Sequence, residues 1–453
     1  MRWMIYLLLA LSPLPLASAR PAWQWLWVSF VGLVFLAFMI VNRKRSSSVL
    51  PKPVQASLAM MLMFVVWGFV QAWAPLGASL HMDLALVDAN LEELSTISVS
   101  PARTVTVSIF FLSHAVFAYL VFLFVDRRDR GVQLVRFCGV IGLVYAAYGF
   151  AVFVSGNETV LWYQKWANFQ SLTSSFVNRN NYAAYAGLGL QCLIAYAIFW
   201  AQDELAENRT GRELYRHLLE TMLQKAWWLP IAILLTSTAV ILTNSRAGFA
   251  SVMIAVFALF LLSPNRYQRS VHWGRSLAGY GAVLAVAAGL FYISGSTLDA
   301  RLQTDATNDV RFQNYPHVVE AIQNRPMLGY GLGAFDNVHL TYREPDEHGW
   351  FSRAHSDYME LAHNAGIPAA IWLLVALLLP IVYLAQRLKF GLQYRAFIAL
   401  GISASLQLAV HSAVDFSLQI PAISYLWVAI LAASLGIASR CEAAQNRGSG
   451  FRG

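Results

Sequence analysis

Charge is scarce in this chain. Asp, Glu, Lys and Arg make up 12% of its 453 residues, whereas a soluble globular chain carries about a quarter. So few charged groups exclude an ordinary soluble domain. Cysteine is scarcer still. Cys138, Cys192 and Cys441 fall on different segments, with no CxxC pair and no Cys/His zinc spacing. The three read as membrane-buried thiols, with neither a structural disulfide nor a metal site expected. No GxSxG elbow and no HExxH helix occurs. Internal repeats are missing too, which weighs against the repeated halves on which many transporters are built.

What the chain does have is apolar length. It is 58% hydrophobic with a mean hydropathy of +0.51. A helix needs about 20 mainly apolar residues to cross a bilayer. Twelve stretches qualify, at roughly 4–19, 22–42, 54–74, 104–125, 132–154, 181–200, 227–243, 247–263, 277–295, 367–386, 396–415 and 422–439. This predicts an all-α integral membrane protein with about 12 transmembrane helices. The stretch from Met4 to Ala19 also resembles a cleavable signal peptide. The reading kept is an uncleaved first helix, since another span follows at once. The formal net charge is +8, but the basic residues fall between spans and not along one face, so nucleic acid is not an expected partner.

Orientation follows from Lys and Arg. With the N-terminus cytoplasmic, 22 of the 32 basic residues lie inside and ten outside. Both termini are then cytoplasmic. Nine of the ten outside residues are Arg, the side chain suited to bidentate phosphate contact; Lys165 is the exception. Some of these arginines are expected to pair only with neighbouring acids.

The longest run without a spanning segment extends from about Ser296 to Pro368, between helices 9 and 10. It carries Arg301, Arg311, Arg325, Arg343 and Arg353, with His317, His348, His355 and His363. A polar loop of that length is where chemistry is expected. The organisation is therefore residues 1–295 as helices 1–9, 296–368 as a large, partly helical outer loop, 369–440 as helices 10–12, and 441–453 as a polar, disordered cytoplasmic tail. Trp162, Tyr163 and Trp166 suit an interfacial aromatic belt. Residues 75–103 and 201–226 read as a surface helix and an amphipathic helix.

Five constellations stand out. Arg179 and Asn180, within Asn178-Arg-Asn-Asn181, offer donors to a polar headgroup; the plainer reading is helix capping. Arg246, in Asn244-Ser-Arg-Ala-Gly248, sits in a hairpin too tight to leave the interface. A charge there is costly and points to a site facing the protein interior. Arg311 and His317 precede the run Asn324-Arg325-Pro326-Met-Leu-Gly329-Tyr-Gly331-Leu-Gly333-Ala-Phe335. That run reads as a helix ended by Pro326 and then a compact glycine turn. His355 opens a helix that leads into span 10, with Tyr358 one turn on and His363 two turns on. Histidine exchanges a proton near neutral pH. His411 and Asp415 are four apart and read as a satisfied pair on one helix face.

In order and spacing these motifs resemble the O-antigen ligase and polymerase superfamily. The marks are NRNN at 178–181, NSRAG at 244–248, the run from Arg311 to Phe335, and above all HSDYMELAHNAGI from His355 to Ile367. The resemblance implies a multi-spanning, inverting, metal-independent glycosyltransferase of the bacterial inner membrane, with no cofactor. It would take a glycan from undecaprenyl diphosphate at the periplasmic face. By position, Arg246 and Arg311 would hold the diphosphate and His355 would be the base at the acceptor hydroxyl. Arg179, Asn180, Arg325 and Tyr358 are further substrate-binding candidates. Where relatives often have an acid two before the last motif's glycine, this chain has Asn364. Ligation to lipid A–core is the preferred activity. Polymerisation onto a growing glycan is the second, and a polysaccharide transporter or flippase is a distant third.

Overall fold

The computed structural model describes residues 1–41, 50–75, 96–204, 216, 220, 224–263, 310–342 and 352–449. The expected span at 277–295 lies outside the described residues, as do Arg301, Arg343, His348, and most of the expected helices at 75–103 and 201–226. Within them the protein is built from helices. The long ones are α2 (Pro21–Val41), α3 (Lys52–Trp73), α4 (Pro101–Phe124), α5 (Arg128–Val154) and α6 (Arg179–Glu204). They continue after two shorter apolar helices, α7 (Trp228–Leu242) and α8 (Arg246–Leu262). Then come the loop helices α9 (Val310–Asn324), α10 (Phe335–Tyr342) and α11 (Asp357–Ala365), and finally α12 (Ile367–Arg387), α13 (Arg395–His411) and α14 (Pro421–Ser449). Seven of these are long and apolar enough to cross a membrane.

Burial ranks them. In α14, 94% of the most apolar stretch is buried, against 17% in α2. α14 therefore forms the centre, with α13, α4 and α5 against it, while most of α2 is left uncovered by the described residues. Small residues permit this closeness. α5 crosses α6 where Gly142 meets Gly189, and a Cβ on Gly189 would lie 2.9 Å from the Gly142 Cα. α8 and α6 then flank α13 on the other side.

Two expectations are corrected. The first predicted span is not one helix: α1 (Arg2–Leu11) is ten residues long, and the chain then turns through a 3-10 segment at Leu16–Ser18. Pro13 and Pro15 cause the break, since each lacks an N–H and crowds the preceding turn. The turn is locked by Ser18, whose Oγ donates to the Ser12 carbonyl at 2.6 Å and accepts from Trp27 Nε1 at 2.8 Å. Residues 442–449, expected to be disordered, are helical, because α14 continues to Ser449. Arg387 draws that end in, with its Nη2 at 2.8 Å from the Glu442 carboxylate.

The segment after α5 carries a short hairpin, Thr159–Val160 with Tyr163–Gln164. Trp162, Tyr163 and Trp166 are exposed there. Lys165 is buried among them and donates to Asn157 Oδ1 and the Ser171 carbonyl, each at 2.9 Å. Burial pulls its ammonium pKa down to about 8. This lysine ties the loop and is not offered to a ligand.

Candidate functional site

The loop helices gather at one end of the bundle. There α6 and α8 begin, α13 ends, and α14 begins. The glycine run holds them in place. Tyr330 N–H donates to the His363 carbonyl at 3.1 Å and Gly331 N–H to the Asn364 carbonyl at 2.9 Å. Gly329 sits at φ +66°, and a Cβ there would be 2.5 Å from the Asn364 carbonyl oxygen. Only glycine fits that approach. From the other side Gln71 of α3 donates to the Leu328 and Asn364 carbonyls at 2.7 and 3.0 Å. The glycine run is thus the brace beneath α11.

His355 precedes α11 in a left-handed conformation, φ +54°. For a non-glycine residue this costs on the order of 1–3 kcal/mol and survives only where neighbours impose it. They do so on both sides. Tyr315 of α9 donates its hydroxyl to the His355 carbonyl at 3.1 Å. Two residues on, Asp357 N–H donates to the Ser412 and Asp415 carbonyls at 2.9 and 3.2 Å. The His355 ring meets Phe416 edge-on, 5.1 Å between centroids. Ser356 caps α11, accepting from Met359 N–H.

Asp357 is the residue that sequence reasoning missed. Its carboxylate accepts from Ser412 Oγ at 2.8 Å, Gln419 Nε2 at 3.1 Å and Leu418 N–H at 3.2 Å. Burial outweighs these bonds and raises its pKa to about 7. Glu360 is buried too, and takes Arg353 Nη1 at 3.1 Å and Ala354 N–H at 2.9 Å. That folds residues 353–354 back over the first turn of α11.

The candidate residues fall into three groups. The first lies on α9 and α11, the helices before and after His355 in the chain. Arg311 lies one turn before Tyr315 on α9; its side chain is outside the described residues. Tyr358 donates its hydroxyl to the Ala409 carbonyl at 2.7 Å.

The second group is at the α6 start. Asn178 Oδ1 caps the helix by accepting Asn180 N–H at 2.8 Å. Asn180 Nδ2 then donates to Asp415 Oδ2 at 2.6 Å, and Asn181 Oδ1 accepts from Ser417 Oγ at 3.3 Å. Arg179 is partly buried at the first position of α6. Capping therefore explains Asn178, while Asn180 ties α6 to the turn after α13, the turn that holds Asp357. His411 Nδ1 lies 2.7 Å from Ser417 Oγ, while Asp415 takes Asn180.

The third group comprises Arg246, Arg325 and His363. Arg246 stands exposed at the α8 start, not turned inward as its hairpin position led us to expect. Ser245 caps that helix by accepting Gly248 N–H at 3.1 Å. Arg325 is buried with its guanidinium 4.5 Å from the Tyr330 ring centroid, part of the brace. His363 is buried between Tyr330 and Phe335, and burial lowers its pKa to about 4. It is a neutral core histidine.

Residues 231–374 match the family model described as O-antigen ligase. The match spans α7, α8, α9, α10, α11 and the first turns of α12, so it covers Arg246, Arg311 and His355. Arg179, Asn180 and the turn at 412–419 lie beyond it. No curated protein matches the chain.

Proposed function

We propose, from the match of residues 231–374 to the O-antigen ligase family model, that this protein is a membrane-embedded glycosyltransferase. It moves a glycan from undecaprenyl diphosphate to an acceptor hydroxyl at the periplasmic face of the inner membrane, with inversion. The observation that carries this reading is the clamped, strained His355 at the convergence of α9, α11 and the turn after α13. A histidine held in this way can take the acceptor's proton as the new glycosidic bond forms. Such a base is worth about 10²–10⁴-fold in rate.

The leaving diphosphate needs its growing charge stabilised. Arginines supply this through fixed charge-assisted hydrogen bonds, without a metal. Arg246, exposed at a helix N-terminus, suits that task, because the helix dipole adds to its charge. Arg311 and Arg179 are the companions assigned to it. Asp357 holds the His355 segment in register. Ligation to lipid A–core is the preferred form, with polymerisation as the second.

The test is transfer from a polyprenyl-diphosphate glycan in reconstituted membranes containing EDTA. Wild type is compared with Arg246→Ala, Arg311→Ala and His355→Ala. Activity that survives EDTA and is lost in all three well-expressed variants is expected. A single added glycan marks ligation and a product ladder marks polymerisation. Loss of wild-type activity in EDTA would overturn the metal-free mechanism.

A further inference from the structure

Arg136 of α5 lies with its guanidinium over two aromatic rings, 5.5 Å from the Tyr196 centroid on α6 and 5.6 Å from the Trp228 centroid on α7. Three helices therefore meet around one cation. The two rings are 6.3 Å apart and tilted by 32°. Both pack on a buried cluster of Leu193, Leu229 and Ala232, which fixes them from below. Among the described residues Arg136 makes no hydrogen bond and no ion pair, and the Tyr196 hydroxyl and Trp228 indole N–H make no hydrogen bond. Other arginines at this end of the bundle are satisfied within the protein. Arg130 bonds Asp126 at 2.9 Å, Arg387 bonds Glu442 at 2.8 Å, and Arg395 donates to the Leu262 carbonyl at 2.7 Å.

Depth makes this arrangement informative. Tyr196 is 17 residues past Arg179, about 25 Å down α6 from the end where the loop helices gather. Arg136 is eight residues past Arg128, about 12 Å along a helix apolar enough to cross a membrane, and it is exposed. A cation at that depth is costly unless an anion meets it. The rings repay part of the cost through their negative faces. They leave the in-plane N–H donors open, in the planar fork that suits a phosphate. From the cage an apolar track runs on. Ile231 and Leu234 follow Trp228 at three-residue steps on α7, and Val144 lies eight residues past Arg136 on α5. All three are exposed. These spacings keep each set on one helix face. Open donors at the head of an apolar track suit a phosphate that carries a hydrocarbon chain, which a free phosphate lacks. No carboxylate bonds to Arg136 among the described residues, so the ammonium of a zwitterionic lipid would gain nothing here.

We propose that Arg136, Tyr196 and Trp228 form a binding site for an anionic phospholipid, in the leaflet away from the loop helices. The phosphodiester takes the Arg136 guanidinium and the Trp228 N–H, and one acyl chain lies along Ile231, Leu234 and Val144. The site stands apart from the glycosyl-transfer reading and does not depend on it.

The experiment titrates the full chain, stripped of lipid in detergent, with phosphatidylglycerol, and native mass spectrometry reads the affinity of the first adduct. Arg136→Gln should weaken it roughly tenfold, the loss of one charged hydrogen-bonded contact. Arg127→Gln is the control, since it removes an exposed cation beside Asp126 at the same end of α5. It should change the affinity by no more than about twofold, as expected of a surface charge. Trp228→Leu keeps the charge but opens the cage, and should weaken the adduct as well. Should Arg136→Gln fail to fold, that variant carries the test. Equal losses in Arg136→Gln and Arg127→Gln would overturn the inference, because the lipid would then answer only to the net charge of this end. Phosphatidylcholine bound as tightly as phosphatidylglycerol would overturn it too. So would displacement of the lipid by inorganic phosphate at the same concentration, which would mark a site for a soluble anion.

Discussion

His355 and Asp357 carry opposite lessons about what a single residue reveals. His355 announced itself, because a histidine at the start of a helix in a long polar loop has few structural reasons to be there. Asp357 did not, because the groups that define it are 55 to 62 residues away in the chain. Its surroundings give a prediction with a definite sign. The unfolded carboxyl titrates near 3.8 and the folded one at about 7. Between those values the folded state keeps a proton that the unfolded state sheds, so this group's contribution to stability falls as pH rises through the window and is level above it. Asn cannot titrate. The stability of Asp357→Asn relative to wild type should therefore improve from about pH 4 to about pH 7 and then hold steady. Thermal unfolding in detergent across that range measures it. A difference that stays constant with pH would show that Asp357 is not raised.

At the scale of elements, the loop helices, Pro326 as terminator and the glycine turn were legible from spacing and breaker residues. The purpose of that turn was not. Its glycines pass against the backbone of α11, a contact between segments some 35 residues apart that no local pattern encodes. The structure makes the run a brace, which sets a clear expectation. Gly329→Ala meets both a positive φ and the Asn364 carbonyl, so it should cost about 1–3 kcal/mol. Its transition should fall in thermal unfolding, and transfer activity should fall with it because α11 carries the Asp357 clamp. Gly156→Ala, also at positive φ but with only the Glu158 side chain near, at 3.9 Å, serves as the control for strain without a clash. Equal effects at the two positions would mean that the contact with α11 matters little. The Asn178–Asn181 motif shows the same division: the cap was foreseen, whereas its tie to Asp415 spans 235 residues and was not.

For the whole molecule, hydropathy identified the membrane class and most of the helices. It failed at the first span, where apolar composition outweighed Pro13 and Pro15 in the reading although they break the helix. It could not rank the helices by burial either, since α2 and α14 are both apolar and differ in what covers them. Nor could it show Arg136 over Tyr196 and Trp228, which meet only because α5, α6 and α7 pack together. The bundle's own test is at the crossing of α5 and α6. Gly189→Val places methyl groups against the Gly142 backbone and should destabilise by about 1–3 kcal/mol through overpacking. A melting temperature equal to that of wild type would mean the helices are not held at that distance.

The most direct measurement of the central claim is single-turnover glycan transfer by His355→Ala beside wild type, with binding of the polyprenyl-diphosphate donor measured on the same preparations. The account predicts a loss of about 10²–10⁴ in the rate of transfer with donor affinity unchanged. Transfer at the wild-type rate by the variant would contradict it.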